Sequence, residues 1–448
     1  MEVGRREMML AGLGLGVGLV AGPRAGDAGE TDIPQPVSTF GVVPGGGAID
    51  QTAILQEAAD AAAQSGTPLF LPAGVYSTSR LGLKSGTQIQ GVPGRSVLRY
   101  RGGGTLLGID QAKEVRLEGL VLDGTEKPLG QDGALLGATE VDHLAISNCR
   151  FIGSTEDGVV LRRMSGRVSD CEFGDIRKAA LLSVDARGLE LSHNHVHDCG
   201  DNGILVWRSE PGEDGTLVTA NRIERIAAKS GGSGQNGNGV NVYRAGSVLV
   251  SANRIADCAF SAIRSNSGSN CQIIGNSCAR SGEVALYIEF AFEGAVIASN
   301  LIDKAATGIS VKNFNEGGSL AVVQGNLIRN LFFRKDADSR GNGISIEADT
   351  VVSGNVIENA PGFGISVGWG SYLRDVSVTD NLIRNAHIGI GVSIARSAGT
   401  ALITDNLISG TKDGAIRAMN GPTPTGPDLA RESAEAFPNL AVYSNVAR

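Results

Sequence analysis

The feature that most constrains the fold is an asparagine that recurs along much of the chain. Asn381–Val392 shows the repeated unit, in which Asn and an apolar stretch are followed by a small residue, Ile, any residue and Val. Equivalent asparagines occur 23 to 32 residues apart, at Asn194, Asn221, Asn253, Asn276, Asn300, Asn326, Asn355, Asn381 and Asn406. Asn148 and Asp170 fit the same frame as two earlier members. A repeat period of about 20–50 residues predicts a solenoid.

Each unit indicates short strands joined by turns. Apolar residues alternate with period two, as in Ile344/Ile346 and Ile365/Val367, and Gly, Asn and Ser interrupt the units. Short strands that pair with the next repeat form a parallel β-helix, and we predict a right-handed one of about 10–12 coils. Asn tolerates the left-handed backbone conformation and its amide can bond its equivalents in adjacent coils. The asparagines should therefore lie in a turn and form a ladder.

Composition excludes some classes of function. The net charge of −8 leaves no basic stripe to neutralise phosphates, which argues against a nucleic-acid binder. The six cysteines lack metal-ligand spacing, and His193–Asp198 straddles a turn, so we predict a surface histidine group and no metal site. Cys149 and Cys171 should lie about 4.8 Å apart in adjacent coils, which leaves both stacked thiols and a disulfide open.

The first 29 residues predict an export signal rather than part of the fold. Arg5-Arg6 precedes the weakly apolar run Met8–Gly22, which is too short to span a bilayer easily. Paired arginines before such a run resemble a twin-arginine signal, although Gly4 and Met8 replace the usual Ser/Thr and Phe. Cleavage within Ala21–Gly29 would release the protein to the periplasm or the exterior through the twin-arginine translocase. A Sec signal or an uncleaved anchor is the alternative.

A helix is predicted before the first coils. Asp50 or Thr52 can cap an alanine-rich helix that runs to about Gln64, and Gly66 ends it. Leu69–Leu71 then indicates a buried strand. An amphipathic helix at this place would cover the open end of the solenoid.

This stretch resembles the N-terminal module of the pectate-lyase-like superfamily, which opens a right-handed parallel β-helix. The matching residues are Phe40-Gly41, Asp50-Gln51-Thr52 and Pro72–Tyr76, whereas Gly45–Gly47 replaces the superfamily's first Asp. The whole chain is similar to a family of twin-arginine-exported β-helix repeat proteins. The resemblance implies the fold and export but not the chemistry, because the superfamily includes lyases, hydrolases, epimerases and adhesins.

The predicted organisation has four segments. Residues 1–29 form the signal, 30–100 the N-terminal capping module, 101–419 the β-helix repeats and 420–448 a C-terminal tail. The apolar stretch Asn439–Val446 is expected to fold back and cover the C-terminal end.

The resemblance implies that the third strand of each coil, with its flanking loops, forms a substrate groove. The outward residues of this strand can be identified because they alternate with buried Ile and Val. Two long loops, Ala227–Asn238 and Leu331–Asn342, flank three short ones and should form the walls of a cleft. The middle of the third-strand face presents one polar and aromatic patch: Trp207, Asn241, Tyr243, Arg264, Asn266, Tyr287, Glu289, Lys312 and Glu347. The floor between the two loops is predicted to be Arg264, Tyr287, Glu289 and Lys312. Aromatic rings beside Arg, Asn and carboxylates suit a sugar polymer.

The chemistry of this patch is left open. Glu289 and Glu347 lie two coils apart, about 9.5 Å, at the upper edge of the spacing of an inverting glycoside hydrolase. In a lyase, Lys312 or Arg264 would be the base, with Ca²⁺ as a cofactor left open. Lys312 would then lie between two carboxylates and stay protonated, so a purely structural Glu289–Lys312–Glu347 charge ladder is the alternative.

We therefore predict an exported, monomeric, right-handed parallel β-helix that acts on or binds a polysaccharide, as a glycoside hydrolase or a polysaccharide lyase. A non-catalytic β-helix that binds glycan or supports the cell envelope is the alternative.

Overall fold

Short strands stack in parallel register along nearly all of the chain that the structure describes. The computed structural model describes residues 33–45, 49–131, 133–232, 234–334 and 340–448, so the predicted export signal lies outside the described residues. Pro34–Arg448 form one structural unit. It is a right-handed parallel β-helix with three strand faces, as the sequence predicts.

The first face holds 16 of the described strands. They are Gln35–Pro36, Leu69–Leu71, Gln88–Gly91, Arg116–Glu118, Leu144–Ser147, Gly166–Ser169, Glu190–Ser192, Leu217–Thr219, Leu249–Ser251, Cys271–Ile274, Glu293–Ala298, Ser319–Gln324, Thr350–Ser353, Val376–Thr379, Ala401–Thr404 and Leu440–Tyr443.

The second and third faces share one sheet that bends at the corner between them. Strands confined to the second face are Gly74–Thr78, Ser96–Tyr100, Leu120–Asp123, Arg150–Ser154, Glu172–Ile176, His195–Cys199, Arg222–Ile226, Arg254–Cys258, Leu327–Arg329, Leu407–Ser409 and Val446–Ala447. Strands of the third face are Leu81–Leu83, Leu107–Asp110, Ala134–Thr139, Asp157–Arg162, Ala179–Val184, Asn202–Glu213, Asn238–Gly246, Ile263–Asn266, Ile344–Ile346 and Ile416–Asn420. Four longer strands run through both faces: Ser277–Glu289, Leu301–Val311, Val356–Val367 and Leu382–Ser393.

The described residues form about 14 turns, more than the predicted 10–12. Additional turns lie at the N-terminal side, where Gly74–Thr78 and Ser96–Tyr100 already pair as second-face strands. These turns carry no asparagine at the corner, so the repeat pattern that identifies the later coils does not mark them.

The predicted asparagine ladder is confirmed. In each step, the side-chain oxygen of one Asn accepts hydrogen bonds from the backbone N–H and the amide of the Asn in the preceding coil. At Asn276 these bonds to Asn300 measure 2.9 and 3.1 Å. The ladder runs without a break from Asn194 to Asn406 and continues to Asn445.

Two details of the predicted turn are wrong. The left-handed conformation belongs to the residue before the ladder asparagine, such as Ser299 (φ 57°) and Asp380 (φ 58°). For the same reason the frame of the first two members is shifted by one residue. Asn148 and Asp170 occupy the left-handed position, which Asn and Asp tolerate well, so they are not ladder residues.

Cys149 and Cys171 stand at the ladder position in those two coils. The Cys171 N–H donates to the Asn194 side-chain oxygen at 3.0 Å, so the ladder begins at this cysteine. Each thiol is buried and donates to a carbonyl two residues earlier, at 3.3 Å for Cys149 and 3.2 Å for Cys171. All six cysteines are free thiols in the structure.

The predicted helix spans Thr52–Ser65 and follows a short 3₁₀ helix, Val37–Phe40. Asp50 accepts the Thr52 N–H at 2.9 Å, and Gly66 ends the helix at φ 72°. The helix buries Leu55 and three alanines against strands of the first coils. It is the single α-helix among the described residues.

The C-terminal stretch does not fold back as predicted. Leu440–Tyr443 and Val446–Ala447 form one more coil, in parallel with the coil before it, because Asn445 extends the ladder. The segment Thr423–Asp428 instead pairs antiparallel with Ile416–Asn420.

Candidate functional site

The outward rows of the third face align as strand spacing predicts. One row contains Trp207, Tyr243, Asn266 and Glu289, each paired with the next. The neighbouring row brings Asn241, Arg264, Tyr287, Ser310, Ser345 and Ser366 into register. The side chains of the predicted patch therefore lie on one face, but they differ in what covers them.

The middle of the predicted patch is a buried ion pair. Arg264 Nε donates to Glu289 Oε1 at 2.6 Å, and Asn266 Nδ2 donates to the same oxygen at 3.1 Å. Arg264 is 8% exposed and Glu289 2%. The Arg264 guanidinium also lies 5.0 Å from the ring centre of Tyr287. A carboxylate satisfied in this way is held in place as a structural group.

Burial also acts on Tyr287. Desolvation, and secondarily the charge of Glu289, raise the pKa of its phenol above the ordinary value of 10.0. Tyr287 is therefore neutral at physiological pH and can act as a hydrogen-bond donor or as a stacking surface.

The first long loop lies over this ion pair instead of forming a wall beside it. A methyl group added at Gly234 would come within 2.9 Å of the Arg264 guanidinium, which places the loop backbone against it. The Gly234 carbonyl accepts hydrogen bonds from Asn238 at 2.9 Å and Asn241 at 3.4 Å. Asn241 is consequently 4% exposed. Arg264, Asn241 and Glu289 are not a floor open to a ligand.

The described residues of the second long loop reach back toward the first. Arg334 Nη1 donates to the Gly282 carbonyl at 2.6 Å, and its guanidinium lies 5.3 Å from the Phe260 ring centre. Gly237 of the first loop packs against the same ring. The predicted pair of separate walls is therefore wrong in this part, because both loops converge on Phe260.

The predicted charge ladder does not form. Glu347 Oε2 accepts the backbone N–H groups of Asn313 at 2.8 Å and Phe314 at 3.0 Å. Glu289 is paired to Arg264. Among the described contacts, Lys312 makes no ion pair with either carboxylate, and its side chain is exposed. The carboxylates proposed as a hydrolase pair are thus both bound within the protein.

Trp207 and Tyr243 form a separate aromatic pair. Their ring centres lie 6.0 Å apart in an edge-to-face arrangement, and the Arg244 guanidinium lies 4.9 Å from the Tyr243 ring centre. The covered coil of Arg264 separates this pair from the coils on its C-terminal side.

The open part of the third face is a cleft of about 450 Å³. Of the predicted patch, it contains Tyr287, Lys312 and Glu347. Its floor is the serine row Ser310, Ser345 and Ser366. Ser310 is 1% exposed, and its hydroxyl has no hydrogen-bond partner among the described residues.

Aromatic rings form the wall at the C-terminal side. Trp369 and Tyr372 exchange two backbone hydrogen bonds, of 3.1 and 3.0 Å, and their side chains are 40% and 39% exposed. The Arg340 guanidinium lies 5.0 Å from the Trp369 ring centre. Phe314 meets Tyr372 edge to face, with 6.4 Å between ring centres. These contacts hold the rings at the mouth of the cleft.

Glu283 lies at the opposite end of the cleft. Burial raises the pKa of its carboxyl above the ordinary value of 4.5, against the lowering effects of Arg264 and Arg334. Its Oε2 atom is buried and has no hydrogen-bond partner among the described residues. Glu283 therefore has a buried carboxyl oxygen that no described residue hydrogen-bonds.

Sequence reasoning missed Glu283, Trp369 and Tyr372. The aromatic residues lie in the turn between the third and first faces, whereas the patch was read from strand positions alone. A signal was available, because Gly368–Tyr372 (GWGSY) concentrates exposed aromatic residues in one of the longer turns that follow third-face strands. Glu283 lies just before the strand positions at which outward residues can be assigned by alternation.

The comparisons with known proteins agree on the fold. A family model of the right-handed β-helix region matches residues 209–381, and a model of the periplasmic copper-binding protein NosD matches residues 92–285. No curated protein matches the chain by sequence.

Among the described residues, no group of three or more His, Cys, Asp or Glu side chains is arranged to hold a metal. His195 and His197 instead contact Glu224 at 3.3 Å and Asp198 at 2.7 Å.

Two solved structures illustrate the similarity. The pre-mature gene product 12 of bacteriophage phi29 is 13% identical and aligns with a TM-score of 0.57. The alignment covers 86% of this chain and 65% of the phage protein. The catalytic unit of an α-1,3-glucanase from Streptomyces thermodiastaticus is 14% identical, with a TM-score of 0.52 over 94% of this chain and 70% of the enzyme. No described helix is long and apolar enough to cross a membrane. The chain therefore has the right-handed parallel β-helix fold.

Proposed function

We propose that this protein binds a polysaccharide in the cleft between Glu283 and Tyr372. The observation that carries the proposal is the row of serine hydroxyls beside two exposed aromatic rings, Trp369 and Tyr372. Sugar rings stack their CH-rich faces on aromatic side chains, while hydroxyls and amides bind their polar edges. A second groove, of about 910 Å³ near Gly108, has no aromatic residue among its described lining. It therefore offers no stacking surface.

Export and localisation belong to the same proposal. The paired arginines near the N-terminus and the match to a periplasmic protein family support an extracytoplasmic protein. A glycan of the cell surface or of the surroundings is the polymer that such a protein would meet. We keep the twin-arginine route and the monomeric state as parts of this proposal.

Cleavage of the bound chain is the second candidate, and Glu283 favours it. A carboxyl group with a raised pKa at the end of a ligand cleft is suited to donate a proton. Glu289 and Glu347 are less suited to this role. Arg264 and Asn266 donate hydrogen bonds to Glu289, and two backbone N–H groups donate to Glu347. Lys312 is better placed to bind a polar or acidic sugar group than to serve as a base.

Binding of the full chain to a panel of neutral and acidic polysaccharides tests the proposal, with α-1,3-glucan, alginate and polygalacturonate included. Trp369→Ala should lower the affinity for the bound polymer about tenfold or more, because the stacking surface is lost. Trp207→Ala is the matched control and should leave the affinity within about twofold, because Trp207 lies outside the cleft. Equal losses in both variants would place the binding surface elsewhere.

The same incubations separate binding from cleavage. Release of reducing ends or unsaturated products by the wild type, abolished in Glu283→Gln, would establish the second candidate. Binding without product release would leave the cleft as a binding surface. A chain that binds none of the polymers would overturn the proposed function.

A further inference from the structure

We propose that the cleft receives one end of a glycan chain and does not hold an interior segment. This inference rests on the proposed function and specifies which part of a polymer the site recognises. An interior segment lying along the stacked coils would have to leave the cleft on both sides. The two sides of the cleft are not equivalent in the structure.

The N-terminal side of the cleft is closed at the coil of Arg264. Tyr287 and Arg264 are direct neighbours in the outward row, so a chain passing Tyr287 would next cross Arg264. That position is taken by the loop backbone at Gly234, and Arg264 is 8% exposed beneath it. Asn241, one coil further, is 4% exposed and bonded to the same loop.

The closure is held from two directions. Gly237 packs against the Phe260 ring from the first loop, and the Arg334 guanidinium covers that ring from the second loop. Arg334 also donates to the Gly282 carbonyl at 2.6 Å, next to Glu283. The barrier is therefore tied to the coils beneath it and is more than a loop resting on the surface.

The opposite side of the cleft offers a way out. Trp369 and Tyr372 are 40% and 39% exposed, so a chain can leave along their faces. The distance from the coil of Tyr287 to the coil of Ser366 is three strand spacings, or about 14 Å. That length accommodates only a short stretch of sugar units before the chain passes the aromatic rings.

The closed end carries polar groups that suit a chain terminus. Ser310 and Glu283 both line the cleft, and the Ser310 hydroxyl and Glu283 Oε2 are buried atoms that lack a hydrogen-bond partner among the described residues. A terminal sugar has a hydroxyl where an interior sugar has a glycosidic bond. A site that hydrogen-bonds such a hydroxyl discriminates strongly against ligands that lack it.

The test uses end-modified oligosaccharides with the full chain. The probes are linear hexasaccharides of α-1,3-glucan and of polygalacturonate, each in three forms: unmodified, with a fluorophore at the reducing end, and with a bulky acetal at the non-reducing end. Titration calorimetry should show one end modification lowering the affinity about tenfold or more, and the other leaving it within about twofold. This asymmetry identifies which end enters the cleft.

Two other results would overturn the inference and remain distinguishable. Equal affinities for all three forms would mean that the cleft holds an interior segment, while the proposed glycan binding stands. Binding of none of the forms would remove the inference together with the proposed function.

A pair of serine variants adds a second readout. Ser310→Ala should weaken binding of the unmodified hexasaccharide several-fold. The loss of affinity caused by the acetal or fluorophore at the entering end should be smaller in this variant than in the wild type, because part of that loss is the missing hydrogen bond to Ser310. Ser183→Ala is the matched control, since Ser183 is equally buried, lacks a described partner and lies outside the cleft. An unchanged affinity in Ser310→Ala would contradict recognition of the terminal hydroxyl by this serine.

Discussion

Two neighbouring regions of the third face are built from the same outward positions and have opposite properties. In the coils of Arg264 and Glu289, the outward side chains are locked into a buried ion pair. In the coils of Ser310, Ser345 and Ser366, the same positions form the floor of an open cleft. The strand register is continuous between the two regions, so the difference arises from the loops that cover them.

The two regions also treat carboxyl groups differently. Glu289 receives charge-assisted hydrogen bonds from Arg264 and Asn266, whereas Glu283 keeps an oxygen without a described partner. Satisfied polar groups stabilise a fold, and unsatisfied ones cost stability and are retained where they serve a ligand. The comparison therefore distinguishes the structural ion pair of Arg264 and Glu289 from the candidate binding site around Glu283.

The buried ion pair gives the largest expected effect. Arg264→Ala leaves Glu289 as a buried charge without its main partner and should lower the free energy of unfolding by about 3–5 kcal/mol. Urea denaturation followed by circular dichroism measures the change. Arg280→Ala is the control, because its pair with Asp257 is exposed and should contribute about 0–1 kcal/mol.

A loss in Arg264→Ala no larger than in Arg280→Ala would contradict the structural assignment of the ion pair. The double variant Arg264→Met, Glu289→Met provides a further check. Replacing both charges with apolar groups should recover much of the lost stability, because no buried charge is then left unpaired.

The fold of this chain is readable from the sequence because one residue type repeats with a physical role. An in-register asparagine ladder needs an asparagine in every coil, so spacing alone reveals the coils from Asn194 onward. The turn before each ladder residue accepts several residue types, including Asn and Asp. That tolerance explains why Asn148 and Asp170 are misleading and why Cys149 and Cys171 escape notice as ladder residues.

The candidate site is only partly readable for a different reason. Alternation along a strand identifies Arg264 and Tyr287 as outward residues, and the structure places both on the third face. Alternation carries no information about the path of a twelve-residue loop such as Ala227–Asn238. That loop covers Arg264 and leaves Tyr287 in the cleft. Exposure at these positions is decided by contacts distant in sequence, such as that between Arg334 and Gly282.

Glu347 provides the next prediction, because it borders the open cleft but acts as a structural acceptor. Glu347→Ala removes the acceptor of two backbone N–H groups, those of Asn313 and Phe314, and should lower the free energy of unfolding by about 1–3 kcal/mol. Glu347→Gln keeps a side-chain oxygen and should cost less. Thermal and urea unfolding of both variants measure the difference. A Gln variant as unstable as the Ala variant would show that the negative charge matters more than the hydrogen bonds.

Glu283 gives the smallest effect and the sharpest contrast with Glu289. Burial raises the folded-state pKa of Glu283 above 4.5, so the folded protein favours its neutral form. The stability associated with that form is present below the unfolded pKa and is lost as the pH rises through the folded pKa. Arg264, Arg334 and Glu289 are the charged groups that act on this carboxyl.

Glu283→Gln removes this titration, since the amide stays neutral. The variant should match the wild type at pH 4 and be more stable at pH 8, with urea midpoints as the measurement. Glu289→Gln, by contrast, should be less stable than the wild type at pH 8, because Arg264 then loses its buried counter-charge. Opposite changes in stability at pH 8 for these two Gln variants would support the distinction between the buried ion pair and the open cleft. A Glu283→Gln variant that loses stability at pH 8 would show that Glu283 has a stabilising partner and a structural role like that of Glu289.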